Sequence, residues 1–146
     1  MTLHDAAITR LRQWWNRTRR SGHGFGELAY LHPDSKYPNW RRTVRSIVAW
    51  GGLMPSAFLV ALLFALRVGL ASWIASLLLL APWPLRMIQL ARRQRQRGLS
   101  WKVACASGIL LMLGKVPQFF GLIGYHLDRA TGHASRLIEY KGPKTA

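Results

Sequence analysis

Acidic residues and cysteine are nearly missing from this chain. Five Asp plus Glu face 21 Lys plus Arg, a formal charge of +16, and Cys105 is the single cysteine among 146 residues. One cysteine excludes an internal disulfide framework and any paired-cysteine metal motif. The five carboxylates, Asp5, Glu27, Asp34, Asp128 and Glu139, are too widely spaced to read as a general acid and base pair. Walker, D-x-D and G-x-G-x-x-G patterns are absent too. Gly22-His23-Gly24-Phe25-Gly26 is not a phosphate loop, because it follows a helical pattern and lacks the loop lysine. The five histidines, His4, His23, His32, His126 and His133, show no i, i+4 pairing and read as surface or capping residues. A hydrophobic fraction of 50% with 7 Trp, 5 Phe and 4 Tyr excludes intrinsic disorder.

An excess of cations first suggests nucleic acid. The distribution of apolar residues decides against that partner. From Ser46 to Leu85 the only charge is Arg67, and so long an apolar run does not fold as an ordinary soluble core helix. It reads as membrane-spanning. Nothing before it resembles a signal peptide: residues 1–45 hold nine Lys or Arg and no apolar run, so this stretch is expected to stay on the side where it is made.

The expected fold is an all-α membrane protein in three parts. Residues 1–45 form a cytoplasmic amphipathic helix and loop. Ala7, Ile8, Leu11, Trp14 and Trp15 share one stripe opposite Arg10, Gln13, Arg17 and Arg20, with Asp5 as N-cap. Such a helix lies in the headgroup region or packs on a protein domain; the pattern fits both. Ser21 to Gly26 is expected to break it, and His32 to Asn39 to form a loop. Residues 46–91 form a transmembrane hairpin with spans at about 46–66 and 70–90, turning at Arg67-Val68-Gly69 and kinked by Pro55, Pro82 and Pro84. The ten Leu, Ile, Val or Phe between Ser46 and Leu66 favour insertion by roughly 3 to 6 kcal/mol.

Residues 92–146 are read as a basic linker, interfacial or re-entrant helices and a cytoplasmic tail. Ser100 caps a helix from Trp101 to Leu113; Lys115 and Pro117 interrupt; Val116, Phe119, Phe120, Ile123 and Leu127 then line one stripe. A third span across residues 103–124 would put the two flanking basic clusters on opposite sides, so an interfacial pair is favoured. Arg41, Arg42 and Arg45 before the hairpin and Arg92, Arg93, Arg95 and Arg97 after it place both flanks in the cytoplasm. These flanks serve topology and adhesion to anionic lipid, or grip phosphate or lipid headgroups through Arg41, Arg42, Arg45, Arg92, Arg93 and Arg95.

Certain strings go beyond composition. Leu3-His4-Asp5-Ala6-Ala7, Gln13-Trp14-Trp15-Asn16-Arg17, Arg20-Ser21-Gly22-His23, Gly114-Lys115-Val116-Pro117 and Ser135-Arg136-Leu137-Ile138-Glu139-Tyr140-Lys141 resemble the C-terminal region of bacterial membrane-anchored family 2 glycosyltransferases. The resemblance extends over residues 3–141. It implies a bacterial inner-membrane, multi-pass protein belonging to a larger enzyme, whose α/β nucleotide-sugar domain carries a D-x-D site for Mg or Mn. That enzyme passes sugar to a lipid-linked or membrane-proximal acceptor in polysaccharide or glycolipid synthesis. No cofactor is expected in this chain itself. The family's Q-x-x-R-W motif is related here to Gln13, Trp14 and Arg17, with Arg and Trp at changed places, and His4 falls where a late metal ligand stands. These four are the resemblance's catalytic candidates. It further implies that Met1 begins a truncated or split frame, or a subunit that docks on a catalytic partner. The rival reading is a stand-alone basic membrane protein that binds anionic lipid or a partner subunit.

Overall fold

The computed structural model describes residues 10–36, 39–68, 73–74, 76–78 and 81–132, and the regular structure among them is helical throughout. His4, Asp5, Ala7, Ile8 and the tail from Ser135 to Lys141 lie outside the described residues.

Helix α1 covers Leu11–Leu31 and runs through the expected break at Ser21 to Gly26. A glycine inside a helix costs about 1 kcal/mol relative to alanine, so packing must offset three of them here. That packing comes from the last helix. Helix α2 (Trp40–Ile47) leads through a π-helical segment, Val48–Leu53, into α3 (Met54–Val68). It begins six residues before the expected start of the span, because the Asn39 side chain accepts a hydrogen bond from the Arg42 backbone N–H at 2.8 Å and caps the first turn. Arg41, Arg42 and Arg45 therefore stand on the helix. The π segment ends just before Pro55, with the Met54 N–H donating to the Ala49 carbonyl. Proline cannot donate and crowds the carbonyl four residues back, and a widened turn accommodates that defect. Arg67 and Val68, expected in a turn with Gly69, belong to α3, and Gly69 lies outside the described residues.

Helix α4 spans Pro82–Gln96. Its prolines sit in the first turn, where their missing N–H groups cost nothing, so Pro82 and Pro84 start a helix rather than kink one. The Arg92 to Arg95 run belongs to α4 and is not a linker. Gly98, at φ +91°, turns the chain, and α5 (Trp101–Leu113) packs back against α4 with Gly108 beside Met87 and Ala91. Ser100 precedes α5 as expected, but its side chain makes no capping bond. After Gly114, α6 (Lys115–Ala130) continues almost in line. The interruption expected at Lys115 and Pro117 is only a turn at Gly114. Two helical stretches, Trp40–Arg67 and Trp101–Ala130, are long and apolar enough to cross a membrane.

Helices α1 and α6 form the tightest pair. Thr18 lies by Gly114, Gly22 by Gln118, Gly26 by Leu122 and Tyr125, and Tyr30 by Arg129. Residue numbers rise together along both helices, so they run parallel. A Cβ on Gly22 would fall on the Gln118 carbonyl, and one on Gly121 on the Arg19 carbonyl. The backbones touch as small-residue stripes permit. On its other side α6 sets Lys115 and Phe119 against Gly51 and Gly52 of the π segment. The buried apolar set is small: Ile47, Ala65, Ala91, Ala104, Met112, Leu122 and Tyr125. Large apolar side chains face outward instead, among them Leu59, Leu63 and Phe64 of α3 at 55%, 56% and 65% exposure. An apolar surface that wide needs a covering.

Candidate functional site: a cationic cleft

The ends of four helical segments enclose a cleft of about 660 Å³. Lys36 comes from the loop after α1, Arg42 from α2, Arg86 and Arg93 from α4, and Lys115 from the start of α6. Asn39, Thr43 and Ser46 complete the lining. On α2 the residues Asn39, Arg42, Thr43 and Ser46 follow one another at helical spacing and so share a face. Arg86 and Arg93 are two turns apart on α4. Neighbours orient the Arg86 guanidinium, which donates to Gln89 Oε1 at 3.0 Å and lies 5.9 Å from the Trp50 ring centre.

Among the described residues no carboxylate lines this cleft. Among the described residues the one ion pair is His23 with Asp128, Nε2 to Oδ2 at 3.2 Å, and it joins α1 to α6. That partner for His23 is 105 residues away in sequence, beyond the reach of local spacing. Tyr125 sits edge-on to the same imidazole, and Arg129 stacks on Tyr30 at 3.6 Å one turn further along.

Of the expected phosphate contacts, the fold brings Arg42 and Arg93 into the cleft. Arg41, Arg45, Arg92 and Arg95 are exposed and outside its lining, and Arg95 donates to the Leu99 carbonyl at 3.0 Å. The cleft thus takes in two of the six. Lys36, Arg86 and Lys115 are the members that sequence reasoning missed. Their signal was available: Arg86 and Lys115 are isolated cations in otherwise apolar stretches, where a charge needs a reason.

A second cleft of about 440 Å³ lies between α1, the end of α4, α5 and α6. Trp14, Arg17 and Ser21 face Gln94, Ser107 and Gln118 across it. Of the catalytic candidates, Trp14 and Arg17 thus share one cavity, Gln13 is exposed and outside its lining, and His4 lies outside the described residues. The Gln118 Oε1 is buried without a hydrogen-bond partner. Among the described residues no three His, Cys, Asp or Glu side chains gather. Set against protein-family models, curated proteins and solved structures, the chain matches none.

Proposed function

We propose that this chain is the membrane-anchoring C-terminal portion of a family 2 type glycosyltransferase. It holds a catalytic domain or subunit beside a lipid-linked or membrane-proximal acceptor in polysaccharide or glycolipid synthesis. One observation carries the reading. Gly22 and His23, in one string that resembles the family, lie against the backbone of Gln118 and Gly121, one and four residues past another such string, Gly114 to Pro117, so the two strings sit on one packed helix pair. Trp14 and Arg17, on the related motif, share a cleft at that unit's edge.

The proposed setting is the bacterial inner membrane, with the N-terminus and both basic flanks cytoplasmic. In it the hairpin expected at about residues 46–66 and 70–90 spans the bilayer, and the α1 and α6 pair lies in the headgroup layer. The register of that pair supports this. A helix crossing from Trp101 to Ala130 would carry its parallel neighbour α1 with it, and Arg17, Arg19 and Arg20 stand level with Gly114 to Gly121. A charged side chain at mid-bilayer costs about 2.5 to 3.5 kcal/mol by insertion scales. In the headgroup layer the same arginines meet phosphate, and the exposed Phe120, Ile123 and Leu127 dip into the acyl boundary.

The chain in vesicles is expected neither to bind nor to hydrolyse nucleotide sugars, whereas protein extracted from its native membrane is expected to bring metal-dependent transferase activity with it, from contiguous or associated sequence bearing D-x-D. Turnover by the chain alone, or native material without transferase activity, overturns the proposal. The cationic cleft favours a second reading: a stand-alone membrane protein that binds anionic lipid.

A further inference from the structure

We infer that the cleft between α2, α4 and α6 is a binding site for a phosphate group carrying two or more negative charges, a phosphomonoester or a diphosphate. The inference goes beyond sugar transfer and does not depend on it.

Five cations from four separate segments converge there, and only the fold makes them neighbours. Like charges gathered around one cleft repel, and solvent near the surface weakens that repulsion without abolishing it. Without a counter-charge, Lys36, Arg42, Arg86, Arg93 and Lys115 oppose the packing that gathers them. None of them makes an ion pair among the described residues. Of the five, Lys36, Arg42 and Arg93 are exposed, where water screens them in part, whereas Arg86 and Lys115 are half buried and screened less. Lys115 is half buried, because α6 sets its backbone against Gly51.

The donor chemistry is that of a phosphate site. Three arginines offer planar forks that match phosphate oxygens, and two lysines add point charges. Ser46 and Thr43 add hydroxyls on the same wall. A singly charged phosphodiester would leave most of this charge unanswered, whereas a dianion or trianion answers more of it. The surroundings suit an amphiphile. Leu53 lies three residues beyond Trp50, and Leu85 adjoins Arg86; both are exposed, at 64% and 61%. A headgroup phosphate in the cleft would leave its acyl chains along these side chains.

The test uses the full chain, with inorganic pyrophosphate as free probe and two vesicle preparations of matched surface charge, one containing phosphatidic acid and the other phosphatidylglycerol. Wild type is expected to prefer phosphatidic acid. The Arg86→Gln/Lys115→Gln variant is expected to lose at least about tenfold of that preference, because charge-assisted hydrogen bonds contribute about 1.5 to 3 kcal/mol each. The Arg41→Gln/Arg45→Gln variant removes the same charge outside the cleft and is expected to keep the preference. Pyrophosphate binding with the same variant pattern identifies a water-soluble phosphate compound as a ligand; the pattern in vesicles alone identifies a lipid headgroup. Equal losses in the two variants, or no preference in wild type, overturn the inference. Should the cleft variant fail to fold, phenylglyoxal modification of wild type decides. Bound phosphate is expected to protect Arg42, Arg86 and Arg93 but not Arg41 or Arg45, and uniform protection or none contradicts the site.

Discussion

Gly121→Ala and Gly124→Ala are expected to change stability in opposite directions, although they add the same methyl group to the same helix three residues apart. At Gly124 nothing lies within 4 Å of the new Cβ, so the substitution gains helix propensity, about 1 kcal/mol. At Gly121 the Cβ falls on the Arg19 carbonyl and comes within 2.9 Å of the His23 nitrogen. Neither is the free end of a flexible side chain that could swing away. The two helices must separate, and the loss is about 3 kcal/mol, at the upper end for overpacking. Separation also draws His23 from Asp128 and Tyr30 from Arg129. Thermal unfolding of the two variants in detergent checks this, with Tm expected to fall for Gly121→Ala and to rise for Gly124→Ala. Equal shifts would mean that α1 and α6 do not pack at this distance.

The Leu59→Lys/Leu63→Lys variant is expected to abolish stable membrane association. Both side chains are more than half exposed and lie one turn apart on α3. On the surface of a water-soluble protein the change would be nearly neutral. In a bilayer, a lysine at the helix centre costs about 2.5 to 3.5 kcal/mol and less towards an end, so the two substitutions together offset most of the roughly 3 to 6 kcal/mol that the apolar residues of this segment contribute. Extraction with alkaline carbonate reads the outcome, wild type remaining with the membrane and the variant washing off. Unchanged helicity of the variant in detergent separates failed insertion from failed folding. A variant that stays in the membrane would mean that α3 is not what holds the chain there.

Helices, the apolar stretch beginning near Ser46 and the loop after Leu31 were legible in the sequence because they depend on local pattern. The continuity of α1 was not. Gly22, Gly24 and Gly26 read locally as a break, and only the approach of α6, about a hundred residues on, turns two of them into a packing surface. Prolines misled in the same way: Pro82 and Pro84 fit a helix start or a kink equally until the chain direction around Ala81 is known. Arg42 and Arg93 were legible as flanking cations. Their association with Lys36, Arg86 and Lys115 was not, since it follows from the crossing of α2, α4 and α6. The pairing of His23 with Asp128 was hidden for the same reason.

We propose that both ends of the chain lie on one side of the membrane, with the α1 and α6 pair in the headgroup layer of that side. Single cysteines at Arg42→Cys, Arg95→Cys and Ala130→Cys, each in a Cys105→Ser background and all at exposed positions, test it by labelling with a membrane-impermeant maleimide in oriented vesicles. The account predicts that all three are modified from the cytoplasmic face and none from the other. Labelling of position 130 from the face opposite position 95 would show that Trp101–Ala130 crosses the bilayer and would contradict it.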